Sequence, residues 1–321
     1  MNEKTINKLQ THKKRIRPAH IIVAGFLAVI FVGSILLCLP ISSKSRTATN
    51  YLNALFTATS AVCVTGLTVV DTATHFSFFG QAVLLLLIQI GGLGFMSLTT
   101  MFMILLRRKI TLKDRLLIKE ALNQESNNGL VRLARNMLLV TFGIEGAGFL
   151  LLLFPFVSRN GGIGVWQAFF CAVSAFCNAG FDVLSVAGAE FMSLGSFAGN
   201  VVVNLSISVL IILGGLGFAV IMDIGRHKGN VKKLSLHSKI VLLSTAVLIV
   251  VGWLFFFLAE FTNKATIGSF TVGDRILAAL FQSVTTRTAG FATVPQGALC
   301  PASKMGTMIL MFVGASPGST G

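Results

Sequence analysis

Three segments of this sequence lead into the same kind of glycine-centred run. Ala54-Leu55-Phe56-Thr57 leads to Val64-Thr65-Gly66-Leu67-Thr68, and Ala168-Phe169-Phe170-Cys171 leads to Asn178-Ala179-Gly180-Phe181-Asp182. Ala279-Leu280-Phe281-Gln282 leads, with one residue fewer, to Thr288-Ala289-Gly290-Phe291-Ala292. The three glycines stand 114 and 110 residues apart. The chemistry such runs offer lies in their carbonyl groups: in an extended strand they can replace a cation's hydration shell. Glycine permits the backbone angles that aim successive carbonyls the same way. The ten or so residues before each run suffice for a helix of about 15 Å, half a bilayer deep. Its carbonyl end carries partial negative charge and favours a cation. Close helix packing is the other use of such glycines, but three copies in register favour the carbonyl reading.

The elements that would have to hold these runs are membrane helices. Of 321 residues, 54% are hydrophobic and 12% charged, against roughly 25% charged in an average soluble domain. A helix needs about 20 apolar residues to cross the hydrocarbon. Ile21 to Leu39, Phe78 to Leu106, Phe191 to Met222 and Ile240 to Ala259 contain no Asp, Glu, Lys or Arg, and Met137 to Val157 contains only Glu145. These five are expected to span. A sixth is expected from near Met305, cut within its length at Gly321. The first apolar run is too long for the core of a secretion signal and is read as a helix.

Charge sets the orientation. The net charge is +15, and most of the 26 basic residues fall in three places. Lys4, Lys8, Lys13, Lys14, Arg15 and Arg17 precede the first helix; Arg107 to Arg135 fill one connection, and Arg226 to Lys239 another. The positive-inside rule makes all three cytoplasmic. No aromatic residues interleave with them as a stacking platform would need, so nucleic acid is not the expected partner. The lipid surface is an alternative contact. Two crossings separate the first two basic segments, so the uncharged stretch Thr47 to Val70 cannot cross a third time. It must enter and leave by one face, and such a backbone survives at membrane depth only where protein or a water-filled path satisfies it.

The chain is therefore expected to be an all-α membrane protein of parallel pseudo-repeats, each an outer helix, a re-entrant pore loop and an inner helix. The reading divides it into a cytoplasmic segment 1–20, a first repeat 21–110, a linker 111–136, a second repeat 137–225, a linker 226–239 and a third repeat 240–321. Units that cross twice keep one orientation, unlike the inverted repeats of many transporters. Their loops can surround one axis along the membrane normal. The five cysteines form no CxxC pair, which argues against a metal site or disulfide framework. Gly91 to Gly94 is not followed by the GK[ST] of a phosphate loop. No enzyme is expected.

The loops, together with the glycine-interrupted inner helices, resemble the Ktr, Trk and HKT superfamily of cation transporters, and within it the Ktr membrane subunits, over nearly the whole chain. That resemblance implies four such units around one pore, each with a short filter centred on a glycine. The filter residues it implies are Val64, Thr65 and Gly66; Asn178, Ala179 and Gly180; and Thr288, Ala289 and Gly290, coordinating potassium through backbone carbonyls. Glycine at position 66, where many sodium-selective plant relatives have serine, goes with potassium passage. The resemblance assigns gating to a loop in the third inner helix, matched here by Gly314, Ala315, Ser316, Pro317, Gly318, Ser319, Thr320 and Gly321. Gly and Pro at that density would break an apolar helix and expose backbone groups to the pore. Gly91 to Phe95 and Gly214 to Phe218, without proline, are expected to be close-packing sites.

The resemblance further implies a multi-pass protein of the bacterial plasma membrane with a cytoplasmic N-terminus, a homodimer, and a ring of nucleotide-binding RCK subunits (KtrA-like) beneath it. It implies potassium as transported ion, sodium as a candidate activating ion, and no covalent cofactor. A fourth unit is missing from these residues, so truncation, a second polypeptide or a non-conducting regulatory subunit stand beside the first reading, as does a sodium-permeable relative. Arg287, three residues before Gly290, would repel potassium if it faced the pore. It is expected to turn away and hold the loop, with Asp182 one conceivable partner. Glu145 is expected to bond a neighbouring helix or loop, and Asp182 either to line the outer mouth or to cap its own loop.

Overall fold

A computed structural model of the chain describes residues 18–94, 130–185, 193–227, 229–316 and 318–320. Among these residues the regular structure is helical, with one isolated bridge between Ser43 and Phe76. In chain order the helices are α1 Pro18–Cys38, α2 Tyr51–Val62, α3 Thr72–His75, α4 Phe78–Leu93, α5 Leu130–Asn160, α6 Ile163–Phe176, α7 Val201–Leu216, α8 Phe218–Arg226, α9 Leu236–Glu260, α10 Val272–Thr285 and α11 Pro301–Val313.

Local sequence sets the helix starts. Side chains of Asn50, Asp71, Ser77, Asn200, Ser235 and Thr271 accept hydrogen bonds from first-turn backbone N–H groups of the helices they precede, which satisfies donors with no partner inside the helix. Pro301 opens α11 at the one turn where proline removes no helical hydrogen bond.

The packing follows a sequence of long, short, long. α2 lies against α1 and α4, and α6 lies between α5 and α7. α10 and α11 both pack on α9. The short helices also bridge neighbouring groups, since α6 touches α4 and α10 touches α7. The main core joins α2, α4, α6 and α7, with Ala58, Ala61, Ala172, Phe176 and Ile207 fully buried. Outward faces are apolar: Leu27, Phe31 and Val32 on α1, and Leu243, Val247, Val251 and Leu258 on α9, are all exposed. Exposed apolar faces on helices of spanning length suit a lipid surround. By length and composition His20–Cys38, Arg135–Asn160 and Leu236–Glu260 can each cross a membrane, as can α7 and α8 if taken as one broken span.

Several helices differ from the expected spans. α4 ends at Leu93, where Gly94 turns to φ +77°; residues 95–106 lie outside the described part. In the described part of the run expected from Phe191, the α-helix begins at Val201, and it bends by 96° at Gly217. The cause is Gly217 itself, at φ +85°, a conformation that no right-handed helix contains. A proline was thus not needed to break this inner helix. α11 starts at Pro301, one turn before the expected Met305.

Candidate functional site

The three glycine-centred runs share one backbone geometry. α2, α6 and α10 end just before them, and the residue two places ahead of each glycine has a positive φ: Val64 at 54°, Asn178 at 55° and Thr288 at 69°. Gly66, Gly180 and Gly290 follow at 76°, 70° and 85°. Asparagine tolerates this region, but for the β-branched Val64 and Thr288 it is a true outlier. Such strain, on the order of 1–3 kcal/mol per residue, persists where the surroundings over-determine the backbone, and it clusters at functional sites.

The middle residue of each run is hydrogen-bonded back to its helix. Thr65 N–H donates to Ser60 O and Ala179 N–H to Ser174 O, both at 2.8 Å, and Ala289 N–H donates to Thr285 O at 2.9 Å. The first two reach back five residues and the third reaches back four. The residue missing from the third segment is therefore absorbed in the last turn of α10, and the glycine-centred run keeps its shape. In the second and third runs a side chain also locks the exit. Ser174 Oγ donates to Phe181 O and Thr285 Oγ1 to Phe291 O, each at 2.6 Å.

The runs converge in space. A methyl group at Gly66 would lie 2.7 Å from the Ala179 carbonyl oxygen, and one at Gly180 would lie 2.7 Å from that of Ala289. One at Gly290 would lie 3.0 Å from Gly180 Cα. All three glycines line one cavity of about 170 Å³, together with Thr68, Asp71 and Asp182. Asp182 lines this cavity and accepts a bond from Leu184 N–H in its own loop at 3.2 Å. Asp71, which the sequence reading did not single out, caps α3 through Thr74 N–H at 2.9 Å and supplies a second carboxylate to the cavity. Its position after Thr68 was a usable signal.

On the other side of the runs lies the segment after α11. Gly314, at φ +64°, turns the chain away from the helix axis. The segment then docks on the broken inner helix α7–α8. Ser316 N–H donates to Gly215 O at 3.0 Å and Ser316 Oγ to Leu216 O at 2.6 Å. Thr320 N–H donates to Gly214 O at 3.2 Å, and Phe218 N–H to Gly318 O at 3.3 Å. Thr320 Oγ1 reaches Phe176 O, at the carbonyl end of α6, at 2.9 Å. Backbone groups freed by the bend at Gly217 are thereby satisfied, as burial requires. Pro317 and Gly321 lie outside the described residues.

The glycines of the inner helices do pack closely. A methyl at Gly91 would run into the Val62 carbonyl and one at Gly214 into that of Phe176, the last residues of α2 and α6. Gly94 and Gly217 add the positive φ that ends or breaks each helix. Arg287 is buried and donates through Nη2 to Gly314 O at 3.5 Å. Its recorded partner is thus the hinge of the docked segment and not Asp182. Glu145 accepts from Gln89 on a neighbouring helix, as expected. Asn178, with its side-chain amide turned to donate, reaches Ile211 O at 3.2 Å and Ala175 O at 3.1 Å.

Short helices that end at converging glycines and are held between longer apolar ones define an all-α protein with helices apolar enough to cross a membrane. The chain belongs to the TrkH family of cation transport proteins, which matches residues 5–321; it is a transport protein and not an enzyme. It is 41% identical over 309 residues to the potassium/sodium uptake protein NtpJ of Enterococcus hirae, and 40% identical over 307 residues to the Ktr system potassium uptake protein B of Bacillus subtilis. These alignments cover 96% and 95% of this chain and 67% of each relative. The crystal structure of the potassium transporter TrkH from Vibrio parahaemolyticus matches 97% of this chain and 59% of its own, with a TM-score of 0.65 at 19% identity.

Proposed function

We propose that the chain lines a potassium-uptake pore, in which the carbonyls of residues 64–66, 178–180 and 288–290 form three parts of the ion filter. The observation that carries this reading is that Gly66, Gly180 and Gly290, each at positive φ and each two residues after another positive φ, line a single cavity. Alternating handedness is how an extended backbone turns its carbonyls toward one side. Three loops do not close a ring; a fourth, from further chain or a second subunit, completes it. Asp71 and Asp182 raise the local cation concentration at the entrance.

The segment 314–320 is the gate. Its docking on the broken helix α7–α8 and its contact with the carbonyl end of α6 through Thr320 support that reading. Sodium is the candidate activating ion, and the lipid bilayer is the surround. A cytoplasmic ring of RCK subunits sets the gate position of a membrane homodimer by docking on the basic segments, of which Arg135, Arg226, Lys232, Lys233 and Lys239 are described. The name Ktr system, carried by a 40% identical relative, supports a membrane subunit that works with a partner.

A sodium-permeable pore is the second reading, favoured by the potassium/sodium name of the Enterococcus relative. Uptake of rubidium and of sodium by potassium-uptake-deficient cells expressing the full-length protein separates the two. The expected result is faster rubidium uptake, with the rubidium-to-sodium ratio falling on the order of tenfold in Gly66→Ser, because the hydroxymethyl group strains the positive φ and crowds the Ala179 carbonyl. Equal rates in the unaltered protein would replace the first reading by the second.

A further inference from the structure

The candidate filter has an asymmetric support. Glu145, on α5, is buried at 4% exposure in a helix that crosses the membrane. A carboxyl group in such a place is costly and marks a function by default. Both of its oxygens accept from the same amide, Gln89 Nε2 on α4, at 3.0 and 3.3 Å. The other end of that amide continues the chain of contacts, since Cys177 Sγ donates to Gln89 Oε1 at 3.8 Å. Cys177 closes α6, its N–H bonded to Val173 O at 2.9 Å, and directly precedes Asn178, the first residue of the second run.

Two observations separate this arrangement from ordinary helix glue. Gly92, three residues after Gln89 and so on the same face of α4, presses on the same residue. A methyl at Gly92 would lie 2.6 Å from Cys177 Sγ and 2.8 Å from its Cβ. Helix α4 therefore bears directly on the root of the run. In addition, the acid has no counterpart in the other units. Three residues before the outer-helix glycine that packs on an inner-helix leucine (Gly33 on Leu87, Gly148 on Leu210, Gly252 on Leu310), the second unit has Glu145, where the first has Ile30 and the third Ile249. Apolar side chains packed against the core serve at those two places, so packing alone does not call for a carboxyl in the second unit.

We propose that Glu145 is a positioning residue for the second filter strand, fixing Gln89 so that Cys177 holds the root of Asn178-Ala179-Gly180. The inference rests on the filter reading above. Its test is the rubidium-to-sodium uptake ratio of the full-length protein reconstituted in lipid vesicles. Glu145→Gln keeps an acceptor for Gln89 and is expected to keep the ratio. Glu145→Leu and Gln89→Leu should each lower it by about three- to tenfold, and the double variant no further, as for members of one coupled network. A folded Glu145→Leu that loses flux with an unchanged ratio would overturn the proposal. Should Glu145→Leu fail to fold, Cys177→Ala decides, since it leaves the Glu145–Gln89 pair intact; an unchanged ratio there would also overturn it. The filter reading fails separately, if Gly180→Ser leaves the ratio unaltered.

Discussion

The first and second candidate filter loops have nearly the same backbone but different support. Val64 and Gly66 sit at φ 54° and 76°, Asn178 and Gly180 at 55° and 70°. Around the second loop, Ser174 donates to Phe181 O, Thr320 to Phe176 O, and Cys177 reaches Gln89. At the first, the hydroxyl equivalent to Ser174 is Ser60 Oγ, which is buried and has no hydrogen-bond partner among the described residues. The residue after the glycine is a fully buried phenylalanine in the second loop, Phe181, and a 58% exposed leucine in the first, Leu67. The glycine and the carbonyl end of its short helix thus suffice to set the turn. Side-chain support is a separate layer, and among the described residues it differs between the two loops.

That separation can be broken experimentally. The largest effect should come from removing what touches only one side of the ring. Deleting residues 314–320 takes away every contact of the docked segment with the second unit, and ion flux through vesicles is expected to rise, on the order of tenfold, as a population shift toward an open state. Unchanged flux would mean that the segment gates nothing. A smaller change is expected from the exit locks. Ser174→Ala and Thr285→Val each leave a buried carbonyl without its hydroxyl donor, at a cost of about 1–3 kcal/mol. Thermal unfolding in detergent should register that loss in both variants, with the third loop behaving like the second.

The smallest effect belongs to Ser60→Ala. The hydroxyl it removes is already desolvated and unpaired, so stability should be unchanged or higher by up to about 1 kcal/mol. A clear destabilisation in the same unfolding assay would show that the first loop has a lock after all, and the contrast between the loops would disappear.

Much of this architecture is legible in the chain. Long apolar runs give α1, α5 and α9, because burial in lipid selects composition directly. Repetition gives the three runs and their helices, and Gly66, Gly180 and Gly290, which it pairs, share a positive φ. The broken inner helix was harder to read. Gly214-Gly215-Leu216-Gly217 is ambiguous by itself, since glycine serves both close packing and a positive φ, and here Gly214 does the first and Gly217 the second. Asp71 escaped notice because an acid in a polar turn is common, and only its position beside the cavity singles it out.

The sequence by itself determined the membrane class, the long apolar helices and the glycines at the centre of each run. These depend on composition and on local backbone freedom, which every residue carries with it. Only the tertiary structure decided that Arg287 turns to Gly314, that Ser316 and Thr320 satisfy the broken helix 100 or more residues earlier, and that Gln89 joins Glu145 to Cys177. Those pairings depend on which buried polar group finds which partner across the bundle. Hydrogen-bond need is written in the sequence, but the partner that meets it is fixed by packing.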